Sequence, residues 1–143
     1  MTNEDSKQKK ENELSLESMR NSVQEVLSYV SLILSKSAMN PFILTRIESE
    51  IGLNLPAVRS ILQRVDEIIK ITIDERTRYK KVSIKEVLSW IPLLKRFHVV
   101  LENLPMVLGP YRDLEIFNRS LYAKENLLNI IEFLEVFVKK ATR

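Results

Sequence analysis

The chain contains no cysteine. A disulfide scaffold, a thiolate zinc site and a cysteine nucleophile are therefore excluded, and a reducing compartment suits it. Histidine occurs once, at His98, in the apolar stretch Phe97, Val99, Val100. With no second histidine and no cysteine to join it, neither a metal site nor general-base chemistry is expected there. Glycine occurs twice, at Gly52 and Gly109, each where a helical pattern stops. No glycine-rich phosphate loop exists, and no Ser-His-Asp set is supported by spacing. These absences predict no enzyme, no cofactor and no metal. Long apolar runs are missing too. Leu127–Val138 comes nearest and is interrupted by Glu132 and Glu135, so no membrane span is expected.

Residues 1–13 lack a large apolar residue after Met1 and carry three positive and four negative charges. They do not resemble a signal peptide, which needs an apolar run behind its basic start. Residues 1–15 are read as a disordered polar tail, and a cytoplasmic, nucleoid-associated protein is expected.

What is present is an apolar fraction of 45% in 143 residues, enough for one compact domain with a real core. The net charge of +3 is modest, but its distribution is uneven. Residues 41–85 hold nine positive and six negative charges, and Arg76 to Lys85 holds five positive and no negative ones.

Apolar residues at three- and four-residue steps predict a helix over about Leu16–Lys36. Pro41 should end it, because it disfavours helical geometry at Asn40. Thr45 and Glu48 have capping-box spacing and predict a short helix, Thr45–Ile51, closed by Gly52. Pro56 opens a third helix to about Lys70. Its stripe of Val58, Ile61, Leu62, Val65, Ile68 and Ile69 has no gap, and Arg59, Ser60, Gln63 and Arg64 lie on the opposite face.

Ile71-Thr72-Ile73 is β-branched and alternating, so it reads as a strand. Asp74–Arg78 reads as a hairpin tip and Tyr79–Ile84 as the returning strand. Ser83 and Glu86 have capping-box spacing at the start of a fourth helix, which Pro92 should kink or shift. Residues from Pro105 to Pro110 form a break. A last helical region runs from about Tyr111 to Lys140, with an interruption near Asn118–Ser120. Leu127–Val138 is apolar on nearly every side, and a second copy of the chain is the expected supplier of its missing partners.

The order of helix, short helix, glycine turn, proline-started helix and hairpin carries a resemblance. Phe42–Ile84 (FILTRIESEIGLNLPAVRSILQRVDEIIKITIDERTRYKKVSI) resembles the winged helix-turn-helix of archaeal and bacterial transcription regulators. The resemblance implies a mainly α fold with a small β-hairpin, the winged unit over 16–85 and C-terminal helices over 86–143. It implies a recognition helix at about 56–70 in the major groove of double-stranded DNA, with a wing at about 71–84 on the backbone or minor groove. Arg59, Ser60, Gln63 and Arg64 would then read base edges. Arg76, Arg78, Lys80 and Lys81 would neutralise phosphates. Free N–H groups near Ala57 and Val58 would add a phosphate site.

A dimeric transcription regulator, joined through its C-terminal helices, is the leading expectation. A protein–protein adaptor in a nucleic-acid-processing assembly and a sequence-independent DNA-coating protein are the alternatives. Trp90, Tyr111, Phe117 and Tyr122 are read as core aromatics or the lining of a ligand pocket.

Overall fold

A computed structural model describes the backbone of residues 2–73 and 83–141, and side chains over 15–72 and 83–141. These residues form six helices: α1 (Thr2–Ser37), α2 (Pro41–Ile51), α3 (Leu55–Ile73), α4 (Ile84–Glu102), α5 (Leu104–Leu108) and α6 (Leu114–Ala141). There is no strand among the described residues.

The hairpin expectation therefore fails where it can be examined. Ile71-Thr72-Ile73 continues α3 instead of starting a strand. The physical reason is the stripe beneath it. Val65, Ile68 and Ile69 are buried at helical steps, and the helix they anchor runs on through Ile73. The Thr72 hydroxyl donates to the Ile68 carbonyl at 2.8 Å, an arrangement that lets threonine sit well in a helix. Packing thus overrides a weak β preference. Residues 74–82, which hold the expected tip and most of the returning strand, lie outside the described residues. Ile84, where that strand was to end, begins α4.

The helix starts also differ from expectation. The backbone of α1 is helical from Thr2, so the charged leading segment extends α1 rather than preceding it. Pro41 opens α2 at its first turn, with Asn40 as the preceding cap residue; proline fits there because no N–H partner is needed. The Thr45–Glu48 box is absent. The Thr45 hydroxyl donates to Pro41 O at 3.2 Å, while Glu48 Oε2 accepts from the Leu55 N–H at 2.6 Å. The carboxylate caps the following helix, not its own. Gly52 ends α2 with φ +79°, as its position predicts. The Ser83 box does form: its hydroxyl accepts from the Glu86 N–H at 3.3 Å. α4 runs through Pro92, and α6 is continuous through Asn118–Ser120. The break at Pro105–Pro110 holds the short α5.

Helix α6 lies against α1 on one side and α4 on the other, and α3 packs on α1. Helix α2 joins α1 to α4, with α5 beside it. The Tyr29 hydroxyl, buried in α1, donates to Ile116 O of α6 at 2.8 Å. Leu127, Ile130, Ile131 and Leu134 of α6 are buried within this arrangement. The apolar faces that called for a second chain are covered largely by α1 and α4 of the same chain.

Two surfaces, one polar helix face and one basic cleft

The α3 face holds Arg59, Ser60, Gln63 and Arg64, all exposed. Two of the four are engaged. Ser60 Oγ donates to Pro56 O at 3.1 Å. Arg64 Nη2 lies 2.7 Å from Glu86 Oε2, and its guanidinium stands 5.8 Å from the centre of the Trp90 ring. Arg59 and Gln63 have no side-chain partner among the described residues. Lower on the helix, Asp66 is buried and meets Arg20 of α1 at 3.3 Å and Lys70 at 3.4 Å. It ties α3 to α1 and offsets part of the local positive charge.

The N-terminus of α3 is not the open anion site expected of it. Asn54 Oδ1 accepts from the Ala57 N–H at 2.8 Å, and Asn54 O accepts from Val58 N–H at 3.2 Å. The Glu48 carboxylate occupies the Leu55 N–H. A phosphate would have to displace an amide oxygen and approach a carboxylate. Arg76, Arg78, Lys80 and Lys81 lie outside the described residues.

The second surface is one that sequence reasoning missed. Helices α2, α4 and α5 enclose an open cleft of about 530 Å³. Val99, Val100, Met106 and Val107 supply its apolar lining, and Arg46, Glu50, Lys95, Arg96 and Asn103 its polar lining. A smaller hollow of about 320 Å³ continues from it past Arg46 to Phe42 and Tyr111. The Phe42 and Tyr111 rings stack at 4.9 Å.

Two of the cleft's cations are held by neutral groups. Arg46 Nη1 donates to Val107 O at 3.3 Å, and its guanidinium lies 5.2 Å from the Tyr111 ring centre. Arg96 Nη1 donates to Ile51 O at 3.5 Å. Each arginine thus sits at a helix C-terminus, where the partial negative charge of the carbonyls offsets only part of a full positive one. Each also lies over a glycine. A Cβ on Gly52 would stand 3.3 Å from Arg96 Nη1, and one on Gly109 would stand 3.4 Å from Arg46 Nη1. Among the described residues, Lys95 alone of the three meets a carboxylate, Glu135 of α6 at 3.6 Å.

Large apolar side chains gather at the same end. The Lys36–Asp113 ion pair (3.6 Å) and the Phe42–Tyr111 stack draw the α1–α2 turn to the α5–α6 connection. Met39 is 93% exposed there, Phe42 57%, Met106 80% and Leu114 79%. The signals in sequence were the helix end just before Pro41, which holds Met39, and Tyr111 among the possible pocket aromatics. Of the others, Trp90 is buried beneath Arg64, Phe117 is partly buried and Tyr122 is exposed on α6.

His98 Nδ1 lies 2.9 Å from Glu102 Oε1. No group of three or more histidine or acidic residues able to hold a metal ion occurs among the described residues. No helix of the described residues is long and apolar enough to cross a membrane. What the described residues define is six helices around an open, basic-edged apolar cleft. Comparison of the chain with protein-family models, with curated proteins and with solved structures finds no match.

Proposed function

We propose that the chain is a non-catalytic protein-interaction module that docks partners through the α2–α4–α5 cleft and its apolar rim. One observation carries this reading: Met39, Phe42, Met106 and Leu114 stand largely exposed at one end, beside a cleft with two arginines held in place by backbone carbonyls. Interface centres combine apolar anchors with arginine and aromatic side chains in this way.

A photo-crosslinking side chain at Met106, and separately at Phe42, in cells of origin should give discrete protein adducts. The same probe at exposed Glu67 on α3 should not. A reversed pattern would end this reading.

A second reading keeps a specific support. Arg59 and Gln63 are exposed on α3 with no side-chain partner among the described residues, and the basic residues Arg76, Arg78, Lys80 and Lys81 follow in sequence. In that reading the protein binds double-stranded DNA through α3, as a dimeric regulator or a sequence-independent coat. Binding to a random duplex pool at two salt concentrations, followed by sequencing of the retained DNA, tests it. An enriched motif lost on Gln63→Ala supports the regulator, and retention without a motif supports the coat. No retention at low salt removes both.

A further inference from the structure

We propose that the occupant of the cleft is the outer face of α6 from a second copy of this chain, each copy filling the other's cleft. This rests on the docking reading above and names the partner. The first argument is chemical. The apolar part of the cleft lining stands beside Arg46 and Arg96, which have no carboxylate partner among the described residues. The fitting ligand is a helix face, a ridge on which apolar side chains alternate with carboxylates.

The chain carries such a ridge. On α6, Leu121 is 59% exposed, Leu128 42% and Val136 50%. Positions 121, 125, 128, 132 and 136 recur at three- and four-residue steps, so they share one helix face. Glu125 and Glu132 on that face are exposed and have no ion-pair partner among the described residues.

The second argument is placement. The Lys95–Glu135 ion pair joins the polar lining of the cleft to the edge of the α6 outer face. Ridge and cleft therefore border one another across α4. A twofold axis near that border sets each ridge into the partner's cleft, and a closed pair uses both complementary surfaces twice. The exposed face of α6 is not needed for the fold, because its buried face is already filled by α1 and α4.

Sedimentation velocity of the full chain from about 1 to about 200 µM spans the range a modest interface needs. The expected result is a monomer giving way to a dimer, with weaker association at high salt. Arg46→Glu and Glu132→Arg should each remain monomeric, and an equimolar mixture of the two should recover a one-to-one dimer. Arg46 also contacts Val107, so far-UV circular dichroism checks that its variant folds. Val99→Asp places a charge in the apolar lining at a position 53% exposed, where folding should survive, and should also abolish the dimer.

A wild-type monomer at every concentration overturns the proposal, as does a dimer indifferent to Val99→Asp and Glu132→Arg. A wild-type monomer that still forms an adduct with another protein at Met106 removes the second copy and leaves the docking site standing. Loss of that adduct as well removes both.

Discussion

Tyr29 shows how far one side chain reaches in this protein. Its ring is buried in α1 while its hydroxyl donates to Ile116 O near the start of α6. Burial pushes the phenol well above its ordinary value near 10; Arg119 opposes this and Asp113 adds to it. The folded form thus keeps its proton where the unfolded chain gives it up. The resulting contribution to stability is intact below pH 10 and falls as pH rises beyond it. Tyr29→Phe should lose about 1–3 kcal/mol at neutral pH, because Ile116 O forfeits a buried partner. It should also flatten the alkaline decline, as read by urea unfolding between pH 7 and 11. An equally steep decline in the variant would point to other groups. Glycine at 52 is explained by its φ of +79° and by the Arg96 guanidinium over it. Asp66 was legible as a charge on α3, but its burial between Arg20 and Lys70 was not.

At the scale of elements, stripes of apolar residues were the dependable signal and capping pairs were not. The α3 stripe is buried along its length except at the half-buried Ile61. The two capping spacings look alike in sequence, yet only Ser83–Glu86 closes as a box. At Thr45–Glu48, Pro41 starts the helix a turn earlier, so Thr45 falls in the interior and Glu48 is free to reach Leu55. Glu48→Ala should therefore cost about 1–2 kcal/mol through the orphaned start of α3. Thr45→Ala should stay within about 0.5 kcal/mol. Chemical denaturation of the two variants separates this arrangement from a box, in which Thr45→Ala would be the costly change. The misread strand at Ile71–Ile73 belongs here too. A three-residue β-branched run is ambiguous by itself, and the buried turn before it decides in favour of helix.

For the whole molecule, α6 is the central support, held between α1 and α4. Leu127 is fully buried there. Leu127→Ala should destabilise by about 2–5 kcal/mol. Unfolding should remain a single transition by both circular dichroism and tyrosine fluorescence, because α1, α4 and α6 share one core. Separate transitions for the two probes would instead mean that residues 16–85 and 86–143 fold independently, as the sequence division suggested.

The sequence by itself determined that the chain is mostly helical, which residues form the stripes, where Gly52 ends α2, and that no cysteine chemistry operates. Each follows from local rules: periodicity, backbone freedom and the identity of the atoms present. Tertiary structure alone decided that α3 runs on through Ile73, that Glu48 serves the next helix, and that α6 finds its partners within the chain. It alone assembled the cleft. Arg46, Arg96 and Met106 lie on three different helices, and each reads locally as an ordinary surface residue. Their meeting depends on how α2, α4 and α5 pack, which no spacing along the chain encodes.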